Sequence, residues 1–79
     1  MNDRRISKRR RVLKAGKVVF DTTSVDCVVR DLSDSGAGVQ VDSPFGIPHE
    51  FSLTILADHS NRACRVVWRK QKRLGIAFY

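Results

Sequence analysis

From residue 18 onward the chain is built of short apolar runs separated by turn-forming or charged residues. Val18–Phe20, Val25–Asp31, Ala37–Val41, Phe51–Leu56, Ala63–Arg69 and Leu74–Tyr79 are rich in Val, Ile and aromatics. Between them lie DTTS (21–24), SDSG (33–36), DSPFG (42–46), DHSN (58–61) and KQKR (70–73). Such residues close turns, and such runs form strands. Alternation is clear in three runs. Ala37, Val39 and Val41 share one face, with Gly38, Gln40 and Asp42 opposite; Phe51, Leu53 and Ile55 share another, as do Leu74, Ile76 and Phe78. Period two with one apolar face predicts antiparallel sheet. Six strands in 79 residues are too few and too short for an ordinary two-layer sandwich. A small six-stranded antiparallel barrel, closed or split, removes the exposed edges and is the expected fold, all-β and without a helix.

One run breaks the pattern. In Val25–Ser33, parity puts Asp31 and Ser33 on the face of Cys27 and Val29, and Leu32 on the other with Val28 and Arg30. Placing Leu32 in the core and Asp31 outside would turn Cys27 and Val29 outward. A β-bulge near Val29–Asp31 resolves the conflict.

Charge adds a second division. Residues 1–17 carry eight Lys and Arg against the single acid Asp3, while the remainder carries seven bases and seven acids, so the whole net charge of +7 belongs to the N-terminal arm. A neutral body with a basic arm points to an anionic partner captured by the arm. The expected division is an arginine-rich arm over 1–11 and a barrel domain over 12–79, the first ten or so residues flexible in isolation. No apolar run approaches the ~18 residues of a membrane span, and no apolar stretch follows the basic start as in a signal peptide, so a cytoplasmic protein is expected. Cys27 and Cys64 stand alone inside apolar runs and read as small buried hydrophobes. Their spacing to His49 and His59 fits no metal-binding pattern, and no cofactor is expected.

Two motifs carry the chemistry. Arg4-Arg5-Ile6-Ser7-Lys8-Arg9 is an RRxxxR pattern in the arm, and Asp31-Leu32-Ser33-Asp34-Ser35-Gly36 is a DxSxxG pattern at a strand end. In this order, ahead of and within a six-stranded small β domain, they resemble the signature of the PilZ domain family. The resemblance spans Arg4 to Phe78. It implies a split barrel that binds the second messenger cyclic di-GMP, singly or as an intercalated pair, and a stand-alone receptor without an output domain. Such a receptor passes its signal to a downstream partner protein.

The residue chemistry fits that ligand independently. Guanidinium groups match phosphodiester oxygens in bidentate geometry, pair with guanine O6 and N7, and stack on purines. Arg4, Arg5 and Arg9 are the expected clamp, with Arg10 in reserve because Arg10 and Arg11 follow at once and the register can slip. Asp31 can accept the N1–H and N2–H of guanine side by side. Ser33 can bond base or backbone, and Gly36 permits a positive φ and a close approach of backbone to a flat ligand. No nucleophile–base pair or paired carboxylates point to an enzyme.

Blander assignments compete with each motif. Asp31, Ser33 and Gly36 can form only a well-made turn, with Gly36 in the left-handed position. The arm can be a solvated tail or a nucleic-acid contact, which would make the protein a small barrel for RNA or DNA. A third alternative is a PilZ-like scaffold that docks a protein and binds no nucleotide. Trp68 is expected to pack against the barrel rather than serve as a stacking platform, and Lys70–Arg73 to be a solvated hairpin loop.

Overall fold

The computed structural model describes residues 9–79 and shows six antiparallel strands: β1 (Arg10–Phe20), β2 (Thr23–Leu32), β3 (Gly36–Gln40), β4 (Glu50–Ile55), β5 (Ser60–Lys70) and β6 (Arg73–Phe78). They close into a barrel in the order β1-β2-β3-β6-β5-β4. Two three-stranded meanders are thereby joined along two seams, β3 with β6 and β4 with β1. Among the described residues there is no helix, so none is long and apolar enough to cross a membrane.

The apolar positions expected to face inward do so. Val18, Cys27, Val29, Ala37, Val39, Phe51, Leu53, Ile55, Cys64, Val66, Leu74 and Ile76 form one core. Phe78 packs at its margin. The β3–β4 connection crosses the end of the barrel and plugs it with buried Val41, Pro44 and Ile47. Arg69 pins this crossing by donating to the Pro44 carbonyl at 2.6 Å and to the Ile47 carbonyl at 2.7 Å. Phe45, between those anchors, is 81% exposed.

β1 is longer than its apolar pattern predicts, beginning at Arg10 rather than Val18, so Arg10 and Arg11 belong to the barrel and not to the arm. Its N-terminal half is held by backbone pairing rather than by an apolar stripe. β2 pairs with it from Arg10↔Leu32 to Phe20↔Thr23, and β4 adds Gly16–Val19 on the other side. The β1–β2 and β5–β6 hairpins close through two residues each, with Asp21 (φ 51) and Gln71 (φ 40) in the left-handed region.

The bulge expected in β2 is present. Val29 pairs with Val39 and Asp31 with Gly38, leaving Arg30 as the extra residue. On the other side Val12 and Leu13 of β1 oppose the same Arg30, because pairing runs from Arg11↔Asp31 directly to Lys14↔Val29. The extra residue resets parity, so Cys27, Val29 and Leu32 turn toward the core while Asp31 turns outward. A further bulge at Val67 leaves both Val67 and Trp68 on the outside. Trp68 lies flat over Gly75 of β6 and keeps 44% of its surface exposed.

Gly36 departs from expectation. Among the described glycines only Gly46 has a positive φ, so Gly36 is not in the left-handed region. It is a buried strand residue whose added Cβ would fall 2.2 Å from the Ile76 carbonyl oxygen. Its bareness serves the close β3–β6 seam. Gly36→Ala is therefore expected to destabilise the fold by about 2 kcal/mol, lowering Tm by roughly 10 °C, because a backbone atom of the neighbouring strand must move. A thermal melt unchanged from wild type would contradict this packing.

The two cysteines are buried and unbridged. Burial, with Asp26 adding to it, pushes the Cys27 thiol up to about 11. Burial, with Cys27 adding to it, pushes Cys64 up to about 12. Both thiols are thus protonated near neutral pH and shielded from reagents. At pH 8 the native protein is expected to react with a disulfide reagent at a small fraction of the rate seen in guanidinium chloride. Because unfolded thiols ionise near 9 and folded ones only at 11–12, their linkage lowers stability as pH rises above 9 and leaves it untouched below. Equal thiol reactivity in native and denatured protein would refute the burial.

Candidate functional site

The bulge that resets β2 also builds the site. On the outer face Arg11 of β1, Asp31 of β2 and Gly38 of β3 lie side by side across the ladder. Gly38 provides the floor: a Cβ there would come within 2.5 Å of Asp31 Oδ2, so the carboxylate rests where a side chain would stand. Arg9 donates to Asp31 Oδ1 in an ion pair whose side chains are 56% and 25% exposed. A pair this open is worth only about 0–1 kcal/mol, so a ligand can replace it.

Around this carboxylate opens a groove of about 560 Å³, lined by Arg9, Arg10, Arg11, Arg30 and Arg73 together with Asp31, Val12 and Leu13. Arg30, thrown out by the bulge, donates to Gln40 Oε1 at 2.9 Å. Gln40 pairs with Arg73 across the β3–β6 seam. Five guanidinium groups and one carboxylate thus share one concave surface. Arrangements of this kind bind phosphate and planar groups that offer paired donors.

The other DxSxxG residues lie elsewhere. Ser33 is buried, and its Oγ accepts from the Gly36 N–H at 3.2 Å and the Ser35 N–H at 3.3 Å. The Ser33 N–H donates to the Gly36 carbonyl at 2.9 Å, closing the turn. This hydroxyl is thereby committed to the loop between β2 and β3. Ser33 borders a second hollow of about 170 Å³ with Arg10, Asp34, Asp58, Arg62 and Phe78. There Arg62 stands 4.0 Å over the Phe78 ring. Arg10 lines both hollows. The motif is therefore divided: Asp31 faces the groove, while Ser33 and Gly36 shape the turn and seam that hold β3 in register.

Arg9 and Arg10 line the groove that holds Asp31, while Arg4 and Arg5 lie outside the described residues. Sequence reasoning missed Arg11, Arg30 and Arg73 as groove residues. The parity break at Asp31 signalled Arg30, since the residue before it is the one a bulge extrudes. Arg73 carries no local signal, because only the β3–β6 pairing brings it in. His49 and His59 lie away from the groove, and among the described residues no group of three His, Cys, Asp or Glu is placed to hold a metal ion.

Comparison with known proteins agrees with this architecture. No curated protein and no solved structure matches the chain significantly. The family model described as PilZ domain matches residues 3–79, taking in the arm, the bulged β2 and the closing strand β6. The family is one of cyclic di-GMP-binding domains. The chain belongs to the PilZ domain family.

Proposed function

We propose that this protein is a cyclic di-GMP receptor in which Asp31 reads a guanine and the arginines of the arm and groove hold the phosphates. The observation that carries the reading is Asp31 itself: one carboxylate, seated on Gly38, inside a groove lined by five arginines. Guanine presents N1–H and N2–H side by side, a match for the two carboxylate oxygens, and its phosphodiesters match guanidinium.

Arg9 donates to the Asp31 carboxylate. Binding exchanges partners: the guanine edge takes the carboxylate, and Arg9 moves to a phosphodiester. Each side of the exchange replaces a solvent-exposed ion pair by charge-assisted bonds in a more enclosed site, worth about 1.5–3 kcal/mol apiece. That gain must exceed the entropy lost in fixing the ligand and the side chains that hold it. The moved arm presents a new surface, and a partner protein that recognises it receives the signal. Arg4 and Arg5 complete the clamp in this reading, with Arg10 at the edge of the groove. Ser33 and Gly36 act on the ligand through the turn that fixes Asp31. Among the described residues the groove presents arginines and one carboxylate, and in this reading the protein binds and reports. We place it in the cytoplasm, within reach of a nucleotide messenger.

Calorimetric titration with cyclic di-GMP at moderate salt tests the proposal. Saturable binding at low-micromolar affinity or tighter is expected, weakened at least tenfold by Asp31→Ala and by Arg9→Ala. Weak binding of any polyanion, steeply salt-dependent and indifferent to Asp31→Ala, would instead mark a nucleic-acid contact. No heat from folded wild-type protein would leave a protein-docking scaffold.

Gly38 supplies a second test. Gly38→Ala places a methyl against the Asp31 carboxylate rather than against backbone. The carboxylate can swing aside, so stability is expected to change by less than about 1 kcal/mol while affinity falls about tenfold. Unchanged affinity in that variant would show that the seated position of Asp31 is irrelevant to binding.

A further inference from the structure

Arg30 and Arg73 belong to neither motif, yet both line the groove that holds Asp31. Their placement is specific. Arg30 is the extra residue of the β2 bulge and stands on the outer face beside Asp31. Its guanidinium is then fixed by Gln40, at 2.9 Å. Arg73 stands across the seam from the same Gln40 and opens the strand that follows the Gln71–Lys72 turn. The Val41 N–H, next to Gln40, donates to the Lys72 carbonyl at 2.9 Å and ties that turn to the end of β3. Gln40 thus sits between the two arginines, and the hairpin carrying Arg73 is anchored beside it.

The groove therefore has cations on both flanks of Asp31. Arg9 and Arg11 approach from the β1 side, and Arg30 and Arg73 from the side of β3 and β6. A cyclic dinucleotide carries two phosphodiesters on opposite edges of its ring. A clamp made only of the arm can meet one of them at full strength and leaves the other to solvent.

We propose that Arg30 and Arg73, bridged by Gln40, form a second anion grip that takes the phosphodiester on the side away from the arm. The inference rests on the receptor reading of the groove and extends it to residues outside both motifs. The ligand is held from two sides, with its guanine on Asp31 between them. The grip on the β3–β6 side belongs to the barrel and exists before the ligand arrives.

Titration of the full chain with cyclic di-GMP decides the matter, using Arg30→Gln, Arg73→Ala and Lys70→Ala beside wild type and Asp31→Ala. Lys70 is on the same hairpin but does not line the Asp31 groove, so it controls for long-range charge. Arg30→Gln keeps a hydrogen-bonding side chain at the bulge, and melting curves confirm that each variant is folded. Arg30→Gln and Arg73→Ala are each expected to weaken binding tenfold or more, and Lys70→Ala less than threefold. Wild-type affinity in either arginine variant, or an equal loss in Lys70→Ala, overturns the second grip while binding lost in Asp31→Ala keeps the receptor reading intact. No binding by wild type, or binding indifferent to Asp31→Ala, defeats the receptor reading and the second grip with it.

Discussion

One extra residue in β2 governs both the core and the groove. Without the bulge at Arg30, the alternation that buries Cys27 and Val29 would also bury Asp31 and expose Leu32. A carboxylate inside a core this small would cost several kcal/mol, a large part of the stability of a domain of this size. With the bulge, the apolar residues on both sides of Arg30 reach the interior, and the carboxylate emerges onto the bare backbone of Gly38. β1 carries its own irregularity at the same level, Val12 and Leu13 opposing the single residue Arg30, and the groove lies there. Core packing and the outward placement of Asp31 are therefore consequences of the one irregularity in β2.

The groove is electrostatically unbalanced by construction. Five arginines face one carboxylate, and the pair that one of them makes with Asp31 neutralises a single charge. Like charges held on a common surface repel, and at physiological salt that repulsion is screened only beyond about 8 Å. An anion bound in the groove relieves it. In the proposed receptor, part of the affinity comes from the removal of that self-repulsion. The barrel can sustain such crowding because its core does not depend on the groove. The buried cluster lies on the other face of the same strands, and Arg69, the arginine that does hold structure together, points away to the β3–β4 crossing.

Much of the fold was legible because period two survives in β3, β4 and β6, where Ala37, Val39, Phe51, Leu53, Leu74 and Ile76 all face inward as their spacing requires. The start of β1 was not legible, since Arg10–Leu13 has no apolar stripe and is held by backbone ladders that composition does not reveal. The place of the bulge was legible from its contradiction: no straight strand satisfies Cys27, Val29, Asp31 and Leu32 together. Of the groove residues, Arg9 and Asp31 were marked by motif, Arg10 only as a reserve beside it, and Arg30 only by adjacency to the conflict. Arg73 was invisible, because its position depends on a strand pairing between segments more than thirty residues apart. Gly36 was marked for the wrong reason. A glycine before an apolar run suggests a left-handed turn, yet here the constraint is a carbonyl of β6 where a side chain would be.

The division of labour within the DxSxxG segment has a consequence for how substitutions in it are interpreted. Ser33 and Gly36 are bonded into the turn and the β3–β6 seam, so replacing either perturbs the register of β3. β3 carries both Gly38, the seat of Asp31, and Gln40, the bridge between Arg30 and Arg73. A change at Ser33 or Gly36 thus reaches the groove through the strand even where no ligand atom touches those residues. Loss of binding there reports the position of β3. Loss at Asp31, whose side chain contributes nothing to the core, reports the contact itself. The three residues act as one motif because they lie at the end of β2, in the turn and at the start of β3, and β3 is the floor of the site.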